Sequence, residues 1–163
     1  MNEINLKKMN NELPIWDLSE IYKNVKDPKI NKDIINIRES ANNFQKQWKG
    51  EINNLSPSDF LICINKYQEI NEAIYKIATH SSLTFATNME DPEISKYNSS
   101  ISDQITEILS TLIFVTLELS KVDDKTINNW LNDKEAKNWE PYLNILRKRN
   151  PYPVSYTHLR AHE

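Results

Sequence analysis

A single glycine, Gly50, in 163 residues constrains this chain more than any other feature. Ordinary usage of about 7% would supply roughly eleven. Loops that grip phosphates and dinucleotides need glycines for tight turns and close backbone approach. Strand-rich folds spend them at hairpin turns and bulges. A chain with one glycine has little of either, so it reads as all-α. Long helices joined by short connections with Pro, Ser, Asp and Asn at their starts are the expected architecture.

Three start signals divide the sequence. Asp27-Pro28 places a capping carboxylate before a proline at the first helical position. The apolar residues that follow are Ile30, Ile34, Ile37, Ala41, Phe44 and Trp48, a 4-3-4-3-4 stripe on one helix face. Gly50 stands where a C-terminal cap is expected, giving a helix near 28–49. Ser56-Pro57-Ser58-Asp59 opens a second helix near 57–87, with Asp59 completing a variant capping box. Its stripe runs Phe60, Ile64, Tyr67, Ile74, Ala78 and Phe85, broadened by Cys63, Ile70 and Ile77. Asp91-Pro92 opens a third, near 92–121, which is apolar nearly all round from Ile108 to Leu119 and is expected to be the most buried. The second and third helices form a long antiparallel hairpin. Shorter helices follow from Asp123 or Asp124, carrying Ile127, Trp130 and Leu131, and from about Asn138, carrying Trp139, Tyr142, Leu143 and Leu146. Residues 1–12 read as a flexible N-terminal tail, 13–153 as one helical domain and 154–163 as a non-native tail. Leu13 to Tyr22 reads as an extended lead-in with a short turn, pinned to the helices by its aromatics.

Composition excludes several classes of function. Hydrophobic residues at 39% and charged residues at 26% describe a globular chain rather than a disordered one. A net charge of −3 with mixed signs gives no broad basic face, so nucleic acid is not an expected partner. The run Arg147-Lys148-Arg149 closes a helix, where positive charge complements the dipole. The longest apolar stretch, Leu112 to Leu119, is far too short to span a membrane, and no secretory signal opens the chain. A cytoplasmic protein is the resulting expectation.

Chemistry-bearing residues are sparse. Cys63, the lone cysteine, lies in an apolar run and reads as a small buried hydrophobe without a paired base. His80, beside the second stripe, reads as a structural or solvent-facing histidine. Glu69 and Glu72, and Asp123 and Asp124, read as exposed-face or capping carboxylates. His158 and His162 are four apart, with Glu163 beside them, a spacing that zinc sites use. The zinc-protease pattern H-E-x-x-H has its Glu next to the first His and needs a third ligand downstream, so the order here is wrong. The string Val154 to Glu163 also resembles one that recurs at the ends of unrelated predicted proteins and looks like read-through of a sequencing adaptor. No residue is therefore assigned as catalytic, cofactor-binding or metal-ligating.

Several motifs together resemble one family. They are Leu13-Pro14-x-Trp16-Asp17-Leu18-Ser19 with Tyr22, the Ala41-x-x-Phe44 helix ending in Trp48-x-Gly50, Leu83-x-Phe85 followed by Asp91-Pro92-Glu93, and Phe114-x-x-Leu117-Glu118-Leu119 leading to Asp123-Asp124. Their order over about 140 residues is similar to the N-terminal region of oligoendopeptidase F, in the M3 family of zinc metallopeptidases. The resemblance implies a helical wall of a deep channel that admits short peptides, with Zn2+ held by H-E-x-x-H and a downstream Glu in a separate C-terminal catalytic domain. No H-E-x-x-H occurs in this chain, so no catalytic residue carries over. The resemblance lapses near Val154. A truncated N-terminal fragment with a foreign tail, inactive alone and binding no metal, accounts for both. A stand-alone helical module that binds a partner along an apolar stripe is the alternative. An enzyme built on the two tail histidines is a third reading.

Overall fold

Residues 17–148 are described by a computed structural model, and every regular element among them is helical. Helix α1 spans Pro28–Trp48, α2 Pro57–Thr87, α3 Pro92–Leu119, α4 Asp124–Trp130 and α5 Glu140–Lys148. Single 3-10 turns at Ile52–Asn54 and Ala136–Trp139 fill two of the connections. The domain boundaries at 12, 153 and 154 lie outside the described residues.

The three long helices start where their caps dictate. Asp27 accepts from the Lys29 amide, and Asp91 accepts from the amides of Glu93 and Ile94. At α2, Ser56 Oγ accepts from the Asp59 amide at 3.1 Å while its hydroxyl donates to Asp59 Oδ2 at 2.6 Å. The box closes through the Ser56 hydroxyl rather than through its amide, which is the variant form. Each cap satisfies amides that no helical carbonyl can reach.

Gly50 acts differently from the expected helix cap. Helix α1 ends one residue early, and Lys49 is extended at φ −67°, ψ 122°. Gly50 follows at φ +89°, and the Glu51 amide returns to the Trp48 carbonyl at 3.1 Å. This is a type II turn, whose third residue requires positive φ. The Gly50 amide then donates to both carboxylate oxygens of Glu118 on α3, at 2.9 and 3.1 Å.

The α1 stripe is buried at all six positions. Cross-links between α1 and α3 keep a constant register: Arg38 to Glu107, Gln45 to the Thr111 carbonyl and Gly50 to Glu118. The separations of 69, 66 and 68 residues mean that the two helices run parallel. Helix α2 runs antiparallel between them in sequence and packs on both. The third stripe is buried at Ile101, Ile108, Leu112, Val115 and Leu119, joined by Phe114. Ile94, Tyr97 and Ile105 on the same stripe are half-buried. Every residue from Thr111 to Leu119 is buried or half-buried. The second stripe drifts: Ala78 and Phe85 are half-buried, and His80 and Ser81 take the core positions.

The bundle has two distinct ends. At one, α4, the second 3-10 turn and α5 close over the start of α2 and the end of α3. Trp130, fully buried, stacks on Phe60 with ring centroids 4.3 Å apart, and its Nε1 donates to the Leu55 carbonyl at 2.9 Å. At the other, the lead-in segment of residues 17–26 crosses the bundle and inserts Tyr22, 2% exposed, into the core.

Candidate functional site

The polar chemistry of the core concentrates at the lead-in end. Among the described residues, His80 and Ser81 on α2 are the buried polar side chains that are not aromatic phenols. Tyr22 from the lead-in donates its Oη to Asp33 Oδ2 on α1 at 2.9 Å. The Tyr22 ring meets His80 edge-on, with centroids 5.1 Å apart and planes at 84°. His80 Nδ1 lies 2.9 Å from Tyr97 Oη on α3. Ser81 Oγ donates to Asn98 Oδ1 at 3.0 Å. Lys29 Nζ sits 5.7 Å from the centre of the Tyr22 ring. One cluster thus ties the lead-in, α1, α2 and α3 together.

Burial sets the protonation of this cluster. Desolvation holds His80 below the ordinary histidine range, opposed by a hydrogen bond to the Tyr22 backbone and by the charge of Asp27. Desolvation pushes the Tyr97 phenol up to about 12, and raises Tyr22 further with help from the hydrogen bond and charge of Asp33. Both phenols stay protonated at neutral pH and act as hydrogen-bond donors. Among the described residues, the hydrogen-bond partner of the imidazole is the Tyr97 phenol, and Ser81 Oγ is turned to Asn98. The cluster can hold elements together and take up a proton.

Tyr22 and Asp33 also form one end of a groove of about 350 Å³ between α1 and α2. Ile37 and Ile70 lie along it, and Lys66, Glu69 and Lys76 line the α2 side. Lys66 Nζ is paired with Glu69 Oε2 at 2.8 Å across a solvent-exposed face. Such pairs contribute little to stability. A broader open surface of about 1000 Å³ lies at the opposite end, among Asn53, Asn54, Asn128 and Asn129. Its carboxylates are engaged: Asp123 accepts from the amide and hydroxyl of Thr126, and Asp124 pairs with Arg147.

The residues weighed from sequence fall as follows. Cys63 is buried, and desolvation, with the charge of Glu118, pushes its thiol up to about 12, so it is protonated and unreactive. His80 is structural and not solvent-facing. Glu69 pairs with Lys66, and Glu72 accepts from Gln68 Nε2 at 2.6 Å. Asp123 is a helix cap. Arg147 and Lys148 occupy the last turn of α5. Arg149, His158, His162, Glu163 and the motif Leu13 to Trp16 lie outside the described residues. Among the described residues no three His, Cys, Asp or Glu side chains group to hold a metal ion. His80 and Cys63 do not fit zinc: Nδ1 of His80, in a buried ring, is engaged with Tyr97, and Cys63 is a protonated thiol in the core. No described helix is long and apolar enough to cross a membrane.

Comparison with known proteins adds one likeness. No protein-family model matches the sequence, and no solved structure matches it. The chain is 30% identical over 140 residues to a curated protein, the oligoendopeptidase F homolog of Borreliella burgdorferi. The alignment takes in 85% of this chain and 23% of that protein, so the chain spans about a quarter of the length of the relative it matches.

Proposed function

We propose that these helices are the N-terminal, non-catalytic part of an oligoendopeptidase F-like zinc metallopeptidase, where they form part of the wall of a channel for short peptides. The observation that carries this reading is the 30% identity sustained over 85% of the chain. A likeness that takes in most of a chain while spanning 23% of the relative fits a non-catalytic section of a larger enzyme. The family resemblance implies that zinc, the general base and the peptide-cleaving step reside in a catalytic domain beyond these helices. The side chains described here support that division of labour. Asp123 is a helix cap, Glu69 and Asp124 are ion-paired, Cys63 is protonated, and the buried His80 is paired with the Tyr97 phenol. The helices contribute shape and rigidity, and the catalytic domain is their principal partner. A cytoplasmic location belongs to the same proposal.

The chain by itself is expected to be inactive. Catalytic zinc sites take about three protein ligands plus an open position. Purified protein should show no one-to-one zinc binding by calorimetry and no hydrolysis of a quenched-fluorescent short peptide. Chelator-sensitive hydrolysis by the purified chain would overturn the wall reading and move the chemistry onto the chain itself.

A further inference from the structure

We propose that His80 is a proton-operated latch that holds the lead-in segment, residues 17–26, onto the helical bundle. The geometry makes His80 the meeting point of four elements. It sits on α2 at 2% exposure, packs edge-on against Tyr22 of the lead-in and lies 2.9 Å from Tyr97 of α3, while Tyr22 is tied to Asp33 of α1. Tyr22 reaches the imidazole through its ring, while its hydroxyl anchors it to α1.

Burial selects the neutral ring, whose Nδ1 pairs with the Tyr97 hydroxyl. Protonation turns Nδ1 into a donor. The Tyr97 oxygen can then accept from Nδ1, with Ser81 Oγ beside it able to accept the phenol proton, so the cost of protonation falls on burial of the charge. The charge itself is placed in a pocket that excludes water. The groups facing it are the Tyr22 phenol and Asp27 from the lead-in side, Lys29 and Asp33 from α1, and Tyr97 from α3. Asp27 favours the charged ring, but desolvation outweighs it. Asp33 is engaged by the Tyr22 hydroxyl, and Glu93 by Lys26. Among the described residues, no carboxylate hydrogen-bonds to the imidazole. The bonds that tie α1 and its closing turn to α3, from Gln45 and Gly50, and the bond from Trp130 of α4 to the Leu55 carbonyl lie away from this end and involve no histidine. Proton uptake therefore releases the lead-in and leaves the bundle standing.

The sign follows from linkage. A histidine depressed in the latched state binds its proton more readily when unlatched. The latch is at full strength above the unlatched value of about 6.5 and weakens as pH falls from there to the latched value. Within that window the unlatched population rises up to about tenfold per pH unit. Amide hydrogen exchange on the full chain, corrected for intrinsic rates, reads this between pH 7.5 and 5. Protection of residues 19–26 should fall while that of α1 and α3 stays level, and the His80 ring should titrate below 6.5 by NMR. His80→Phe, which keeps an aromatic edge and cannot protonate, should leave lead-in protection flat with pH and supplies the resonance assignment. Three results would each overturn the proposal: lead-in protection independent of pH in the parent chain, loss of protection in all helices together, or a His80 titration at the ordinary value. The parent-chain measurements decide the matter even where His80→Phe folds poorly.

Discussion

At Gly50 the backbone holds φ +89°, and a Cβ built there would meet nothing within 4 Å. The requirement for glycine is therefore conformational and owes nothing to crowding. Gly50→Ala should cost about 1–2 kcal/mol through the left-handed backbone alone, and Gly50→Asn less, because Asn tolerates that region better. Urea denaturation of the three proteins checks the order, and an alanine variant as stable as the parent would contradict it. The caps were equally open to reading, since Asp-Pro and Ser-Pro state both the carboxylate or hydroxyl and the fixed φ of the next residue. His80 and Ser81 were not. The 3-4 alternation through Ile70, Ile74 and Ile77 lands on position 81, but a search for apolar residues passes over polar ones and follows Ala78 and Phe85 instead. The partners of His80 and Tyr22 come from other elements, and helical periodicity carries no signal for such pairings.

At the scale of elements, α4 shows why a short helix needs tertiary support. Seven residues cannot sustain a helix in isolation. Helix α4 is held through Trp130, which stacks on Phe60 and donates to the Leu55 carbonyl. Trp130→Ala should cost about 3–5 kcal/mol, the range for emptying a buried aromatic site. Trp130→Phe should cost less while still leaving the Leu55 carbonyl unpaired. Thermal unfolding followed by circular dichroism compares the two, and a phenylalanine variant no better than alanine would show that the hydrogen bond outweighs the packing. Element boundaries were legible to within two residues where stripes of 20 residues or more set the pattern. The 3-10 turn at Ile52–Asn54 was not, because three residues have no period, although Ile52 is among the most buried side chains.

For the whole molecule, α3 separates what the bundle needs from what it tolerates. Leu112 is 2% exposed and Leu109 is 42% exposed, three residues apart on one helix. Leu112→Asp buries an unpaired charge and should abolish cooperative folding. Leu109→Asp should shift stability by about 0.5 kcal/mol or less, as surface changes do. Large apolar side chains also stay exposed on several elements, among them Ile35 on α1, Ile62 and Tyr75 on α2, and Ile145 on α5. Under the proposed function a catalytic domain would cover some of them, so these helices on their own should associate in a concentration-dependent way. Sedimentation velocity should show this for the isolated chain and show relief by Ile62→Lys or Ile35→Lys. A monomer at every concentration, with no hydrophobic-dye signal, would favour a stand-alone interaction module. The all-α class was legible from one glycine and three stripes. The function was not, because the side chains of these helices serve packing and capping, and only likeness to a longer protein points to peptides. The most direct test of that account is the genomic sequence beyond the codon for Pro153. The account predicts an open frame that runs on to an H-E-x-x-H motif. A stop codon at that point, with no such motif in frame, would contradict it.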